Sequence, residues 1–465
     1  MFHIKLIDEL VENKKDLFTN MSDRVWDFAE TAFKETQSAN YICSKLEEEG
    51  FEVERGVAGI DTAFVGTFGS GQPVVGFLGE YDALPGLSQE KGIAEHKPIT
   101  KGGNGHGCGH NLLGTGSFAA AIAVKDYMEQ NGISGTVRYY GCPAEEFGDG
   151  KAFMAKEGAF DDLDFALCWH PAPINSVFQM NVLAVNQVYF RFKGRSAHAA
   201  ASPHLGRSAL DAVELMNIGV NYLREHIIPE ARVHYAVTNT GGDAPNVVQS
   251  DAEVLYLIRA PKVSQVQNIY ERVCKIAEGA ALMTETELEV VFDSGSSDMV
   301  QNQTLDSVME KNFNQLEPPK YTEDEVAFAN QIRTTLSDEE KNTVWSRGLE
   351  DVALTDFVIP QNEQDSSTGS TDVADVSWIA PTTQALTTCI SNGTALHSWQ
   401  AVSQVGTSIG QKGMLYAGKL MAATALDVMQ DSDLLQKAKD EHSQKAGKDR
   451  YISPIPDEVK PGLIE

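Results

Sequence analysis

The sequence has none of the long apolar runs that membrane spans require. Its longest apolar stretch, around Phe118 to Val124, is far shorter than the ~20 residues that cross a bilayer. The N-terminal segment Met1 to Leu10 carries Lys5, Asp8 and Glu9, where a signal peptide would be apolar. Cysteines are also few, with six scattered over 465 residues, which excludes a disulfide framework. These absences predict a cytoplasmic protein whose cysteines are mostly reduced and buried.

Basic residues are scarce as well. The chain has 37 Lys and Arg against 66 Asp and Glu, and its formal net charge is -29. This excess of negative charge argues against nucleic acid and anionic membrane as partners. A small anionic substrate remains compatible with it, because salt screens long-range repulsion within about 8 Å under physiological conditions.

The length and the residue pattern predict two domains. At 465 residues the chain exceeds one ordinary hydrophobic core, and its 42% hydrophobic content is that of a globular protein. Residues 185–295 are predicted to form a compact α+β unit, because a strictly alternating strand at Val185 to Phe192 is followed by a mixture of helices and strands. We therefore expect a larger α/β domain in two parts, 1–184 and 296–465, with 185–295 inserted between them. The polar segment 360–370 is predicted to be a loop.

Gly105 to Asn111 is the motif richest in chemistry. Cys108 and His110 stand two residues apart, so a thiolate and an imidazole can converge on one metal ion, and the interleaved glycines allow a tight bend. The following apolar run predicts a helix from Leu112 to Gln130, with Asn111 as its N-cap. The alternative is a Gly-rich turn that holds a buried Cys and a hydrogen-bonded His before a core helix.

Further candidate site residues follow predicted strands. The apolar run Pro73 to Leu78 leads into Glu80 and Asp82, the strand Gly135 to Cys142 leads into Glu145 and Glu146, and the strand Ala166 to Trp169 delivers His170. In α/β proteins the carboxyl ends of strands carry the functional groups. Solvated surface carboxylates are the alternative for each pair taken alone, but their convergence predicts a site.

Seven longer motifs carry a family resemblance. They are GCGHNLLGTG, PAEE, WHPAP, KGRSAHAAASPHLGRSALDA, APNVV, GSTDVADVSW and HSWQ. Their order and spacing over nearly the whole chain resemble the superfamily of aminoacylase, hippurate hydrolase and glutamate carboxypeptidase, which are dimetal amidohydrolases. Within it they resemble the B-type subunits of p-aminobenzoyl-glutamate hydrolase. The resemblance implies a zinc-peptidase-like α/β/α sandwich with a mixed sheet, interrupted by a smaller α+β lid and dimerisation domain.

The resemblance also implies roles for individual residues. Glu145 would be the general base. Asp82 would not bind a cation itself but would hold one of the ligands in place. His198 would help to hold the reacting carbonyl oxygen across a dimer interface. Asn246 and Arg259 would hold the substrate carboxylate, since Arg can grip it with two parallel hydrogen bonds. Two divalent cations, Zn²⁺ or Mn²⁺, would be bound by the remaining residues: Cys108, His110, Glu146, His170 and His397.

This pattern predicts hydrolysis of the amide bond of an N-acyl or N-aroyl amino acid, with p-aminobenzoyl-glutamate as the favoured substrate. A divalent cation activates water and polarises the carbonyl, and a neighbouring carboxylate moves the proton. The alternatives are a deacylase of other N-acyl amino acids, a dipeptidase, or a catalytically silent partner subunit. A homodimer or a heterodimer with a homologous subunit is expected.

Overall fold

The chain folds around two β-sheets, which a computed structural model describes over residues 2–178, 181–342, 348–360, 369–447 and 451–462. In these ranges the strands are β1 Glu52–Arg55, β2 Phe64–Ser70, β3 Val74–Glu80, β4 Gly135–Cys142, β5 Phe165–Ala172, β6 Ser176–Val177, β7 Ala184–Lys193, β8 Arg232–Asn239, β9 Asp251–Ala260, β10 Glu287–Ser296 and β11 Thr382–Thr388. The helices are α1 Phe2–Asn13, α2 Lys15–Phe28, α3 Thr36–Glu48, α4 His110–Asn131, α5 Gly150–Lys156, α6 Ala209–Leu223, α7 Val263–Thr284, α8 Gln303–Phe313, α9 Glu323–Thr334, α10 Asp338–Lys341, α11 Val373–Ile379, α12 Trp399–Val405, α13 Ser408–Met429 and α14 Ser432–Ala446.

The larger sheet has the strand order β1-β2-β4-β3-β5-β11-β6. Its four central strands, β4, β3, β5 and β11, run parallel, and the outer strands pair antiparallel. Every residue of β3 and of β11 is buried, as expected for strands covered on both faces. The mixed sheet with its helices confirms the predicted α/β class. It also brings the carboxyl ends of four parallel strands to one edge.

Helix α4 fixes the loop that precedes it against this edge. The helix packs on β3, β4 and β5 and on α13, and all of its residues from His110 to Lys125 are buried. A Cβ atom on Gly114 would lie 2.5 Å from the backbone oxygen of Glu80, so only glycine allows this approach of helix to strand. The first turn of α4 is therefore held beside the end of β3.

The smaller sheet is antiparallel, with the order β10-β7-β9-β8. Helices α6 and α7 pack on it, and along β9 buried residues alternate with half-buried ones. Strict alternation of this kind indicates a sheet with one covered and one more open face.

Contacts divide the chain into two compact units. One comprises Met1–Met180, Val300–Asp365 and Val376–Tyr451, and the other comprises Asn181–Met299, Ser366–Asp375 and Ile452–Glu465. The second unit contains the whole smaller sheet. Its role as a lid and dimerisation domain, and the boundaries 185–295 given to that role, stay predictions.

Two local expectations have different outcomes. Asn111 is not the N-cap of α4, because the helix begins at His110 and its cap is Gly109 with a left-handed φ of 79°. Asn111 instead lies in the first turn, where its side-chain amide donates to the Ser22 hydroxyl at 3.1 Å. The loop expected over 360–370 lies largely outside the described residues.

Among the helices of the described ranges, none combines the length and the apolar character that a membrane crossing demands.

Candidate metal centre

Three strands of the large sheet deliver polar side chains to its carboxyl edge. Glu80 is the last residue of β3 and pairs in register with Cys142, the last residue of β4. Asp82 follows β3 by two residues, and His170 lies near the end of β5. This common edge explains why residues far apart in the sequence meet.

His110 is the most enclosed of these groups. Its Nδ1 lies 2.7 Å from Asp82 Oδ1, which orients the ring and leaves Nε2 facing two further carboxylates. Nε2 is 3.3 Å from Glu80 Oε2 and 3.9 Å from Glu145 Oε2. Burial lowers the pKa of His110, but Asp82 and Cys108 outweigh it and raise that pKa well above its usual value. The surroundings of Nε2 therefore favour a positive charge, which a proton or a metal cation can supply.

Cys108 lies opposite His170. Its Sγ is 3.4 Å from His170 Nε2, while His170 Nδ1 donates to the Pro171 carbonyl at 2.8 Å. A neutral imidazole that donates through Nδ1 keeps a lone pair on Nε2, as a metal ligand requires. Burial raises the pKa of the Cys108 thiol, so the thiolate needs a nearby cation to form.

Glu146 and His397 form the third pair. Glu146 Oε2 is 3.2 Å from His397 Nε2, and the Glu146 backbone N–H donates to Asp82 Oδ2 at 2.9 Å. The backbone N–H of His397 donates to the backbone carbonyl of Gly107 at 2.8 Å. This hydrogen bond joins the distant HSWQ segment to the loop that carries Cys108. Asp82 thus holds His110 with one oxygen and the Glu146 backbone with the other.

Together these residues make three overlapping groups. Within each group the donor atoms lie within 4.8 Å of one another. The groups are Cys108 with His110 and His170, Cys108 with Glu146 and His397, and Glu80 with His110 and Glu145. All five expected ligands occur in them. Glu80 belongs to the third group, although no ligand role was predicted for it.

The donors fit divalent cations. His110 Nε2 and Glu146 Oε1 are buried without a hydrogen-bond partner among the described residues, and such atoms are costly unless something else satisfies them. The set combines a thiolate, imidazoles and carboxylates, which suits Zn²⁺ and tolerates Mn²⁺.

Glu35 supports the turn that carries Glu145 and was not found from the sequence. Its Oε1 accepts from the backbone of Phe33 and of Ala144, both at 3.0 Å, and its Oε2 accepts from Thr62 at 3.1 Å. Ala144 has a left-handed φ of 60°, so this turn needs an external support. Burial, with the Asp82 charge as the second cause, raises the pKa of Glu35 to about 8.

This pKa makes the stability pH-dependent. Because the folded value lies above the ordinary 4.5, folded Glu35 keeps a proton that the unfolded chain has lost between about pH 5 and pH 8. The contribution of Glu35 to the free energy of unfolding therefore falls as the pH rises through this window. We expect Glu35→Gln, which resembles the protonated form, to flatten the decline of Tm from pH 5 to pH 8. Thermal melts of this variant beside Glu54→Gln, a change at an exposed carboxylate, measure it, and identical slopes in all proteins would contradict it.

The three remaining predicted site residues lie in the second unit. His198 and Asn246 are exposed and adjacent there, because the Ala199 N–H donates to the Asn246 carbonyl at 3.0 Å. Arg259 is half-buried near the end of β9. The His198 Nδ1 accepts from the N–H groups of Ala200 and Ala201 at 3.2 and 3.1 Å. In a neutral ring Nε2 then carries the proton, so His198 can act as a hydrogen-bond donor.

Comparisons with known proteins identify the family. Residues 76–392 match the sequence model of peptidase family M20/M25/M40. The chain is 51% identical over 476 residues to the B-type subunit of p-aminobenzoyl-glutamate hydrolase from Escherichia coli (strain K12), with 99% of both chains covered. It is 26% identical over 458 residues to the Xaa-Arg dipeptidase of Mus musculus, covering 96% of this chain and 93% of that protein. Its fold is similar to that of a dinuclear metal-binding M20 peptidase from Bacillus subtilis, with a TM-score of 0.56 and 16% identity over 90% of this chain and 99% of the other.

Proposed function

The chain belongs to peptidase family M20/M25/M40 and is a metal-dependent amidohydrolase, and we propose that it hydrolyses the amide bond of N-acyl or N-aroyl amino acids. The favoured substrate is p-aminobenzoyl-glutamate. The observation that carries this choice is the 51% identity, over 99% of both chains, to an enzyme subunit named for that substrate.

Two divalent cations, Zn²⁺ or Mn²⁺, would be held by the five ligands that the donor groups contain: Cys108, His110, Glu146, His170 and His397. When bound, such cations lower the pKa of water and polarise a carbonyl group. Asp82 keeps His110 and the Glu146 backbone in place for this task, because its two oxygens engage one of them each. A ligand so supported binds more tightly than one left free to rotate.

Glu145 is the proposed general base. Its side chain is 14% exposed and lies 3.9 Å from His110 Nε2, whereas the side chain of the neighbouring Glu146 is 5% exposed and faces His397. Glu145 would take the proton of the attacking water and return it to the leaving amine. The adjacent carboxylates thus divide the work between proton transfer and cation binding.

The second unit would supply substrate contacts. We assign the substrate carboxylate to Asn246 and Arg259, and the developing oxyanion to His198, whose Nε2 is the free donor of its ring.

We propose that the protein forms an oligomer through the surface of the second unit. Leu215, Ile218 and Tyr222 form an exposed apolar stripe on α6, with Tyr222 72% exposed. Strand β8 is an edge of the smaller sheet and is exposed along nearly all its length. Apolar stripes and open edges of this kind favour pairing with another chain. A homodimer, or a heterodimer with a homologous subunit, fits this surface.

A cytoplasmic location of the protein remains a prediction.

Dipeptidase activity is the second candidate, because the mouse relative that matches most of the chain is an Xaa-Arg dipeptidase. A panel of p-aminobenzoyl-glutamate, other N-acyl amino acids and Xaa-Arg dipeptides, assayed with Zn²⁺ or Mn²⁺, separates the candidates. The highest kcat/KM on p-aminobenzoyl-glutamate supports the proposal. No turnover of any member would favour a catalytically silent subunit.

Cation binding should protect Cys108 from alkylation. A thiolate that binds a cation is engaged and shielded, so iodoacetamide should modify Cys108 more slowly in the Zn²⁺-loaded protein than after chelation. Peptide mass spectrometry follows the rate, and Cys274, a half-buried thiol of α7, serves as the control within the same sample. Equal rates at Cys108 in both forms would remove it from the ligand set.

A further inference from the structure

A buried ion pair lies directly behind the metal centre. Lys151 Nζ is 2.8 Å from Glu80 Oε1, and the exposed fraction is 0% for the Lys side chain and 2% for the Glu side chain. Two charges are costly to remove from water, and hydrophobic residues of the same volume often give equal stability. Stability alone is therefore a weak reason for this pair.

The second oxygen of Glu80 faces the site. Glu80 Oε2 lies 3.3 Å from His110 Nε2, whose ring is oriented by Asp82 through Nδ1. If Nδ1 donates its proton to Asp82, the Nε2 lone pair and a carboxylate oxygen face each other at this distance. Two acceptors in that arrangement repel unless a positive charge lies close to both. Glu145 Oε2, 3.9 Å from the same nitrogen, adds a third negative group.

We propose that Glu80 is a further ligand of the cation held at His110 and that it binds through Oε2 alone, because Lys151 occupies Oε1. This inference rests on the proposed function, since it requires the cation site. Lys151 is then a positioning residue that restricts Glu80 to one oxygen and offsets part of the negative charge collected there. A purely structural pair is the competing explanation.

Two variants separate the explanations. Glu80→Gln removes the charge of the ligand but keeps its shape. The double variant Glu80→Gln with Lys151→Met also removes the buried ammonium group, so that Lys151 is not left beside a neutral amide. Glu325→Gln is the matched control, because it weakens a 2.6 Å pair with Lys412 that involves no residue of the site. Thermal melts in EDTA establish that each protein folds.

Equilibrium dialysis against Mn²⁺ gives the stoichiometry and affinity independently of turnover. We expect wild type and Glu325→Gln to bind two ions, and both Glu80 variants to bind one of them at least about tenfold more weakly. Wild-type affinity in the folded double variant would overturn the inference and leave the pair a structural one. A wild-type chain that binds neither Mn²⁺ nor Zn²⁺ would overturn the proposed function as well, so the two failures are distinguishable.

Discussion

Replacing Glu145 with Gln should lower turnover of p-aminobenzoyl-glutamate by about 10²–10⁴-fold while the bound cations stay in place. Gln has nearly the same shape but cannot take a proton from water at neutral pH. Glu145 Oε2 is 3.9 Å from His110 Nε2, so it borders the cation site without belonging to the pair that Glu146 makes with His397. Elemental analysis and a rate assay on the same sample measure both quantities.

Glu146→Gln is the matched control, and we expect the opposite pattern. Its side chain is 5% exposed and lies in the donor group of Cys108 and His397, so losing its charge should weaken cation binding by at least about tenfold. Activity should then recover in part as the cation concentration is raised. Full activity of Glu145→Gln, or equal cation loss in both variants, would refute this division of roles.

The second large effect concerns His198, which we propose to act on the active site of a partner subunit. One lost oxyanion donor costs about 10²–10³-fold in rate, so His198→Ala should be nearly inactive. Mixing His198→Ala chains with Glu145→Ala chains should restore activity, because a mixed dimer then has one site with Glu145 from one chain and His198 from the other. Activity before and after subunit exchange is the measurement.

A native mass spectrum must establish that mixed dimers have formed. Such dimers without activity would refute the action of His198 in trans. Normal rates in His198→Ala would refute any role of this side chain in the reaction. The variant His204→Ala, at another His of the same unit, controls for unspecific effects of the substitution.

Strand β3 could be predicted because the run Pro73 to Leu78 is nearly continuously apolar, as in a strand that is covered on both faces. Gly135 to Cys142 was predicted with the same bounds that the structure gives β4. The start of α4 was predicted wrongly, since the first turn depends on Gly109 adopting a left-handed φ, and the polar side chain of Asn111 is the stronger local signal for a cap. Local propensity cannot show that the Asn111 amide has partners at Ser22 and Val405 instead.

The candidate site was predictable where ligands lie near the carboxyl end of a strand, as His170 does in β5 and Glu146 does shortly after β4. Glu80 was noted beside Asp82 but received no role, because its importance depends on Lys151 and His110, and no spacing in the sequence joins these three residues. Glu35 was missed for a similar reason. It lies just before α3 in an amphipathic segment, and only the fold brings it to Ala144 and Thr62.

Strand β11 lies between β5 and β6 in the sheet but follows them by roughly 200 residues in the chain. During synthesis at about 5–20 residues per second, β5 would wait roughly 10–40 s for its parallel neighbour. His397 emerges later still. The nascent chain must therefore keep an apolar strand edge protected while Asn181–Met299 is made, and the donor group that includes His397 is complete only near the end of translation.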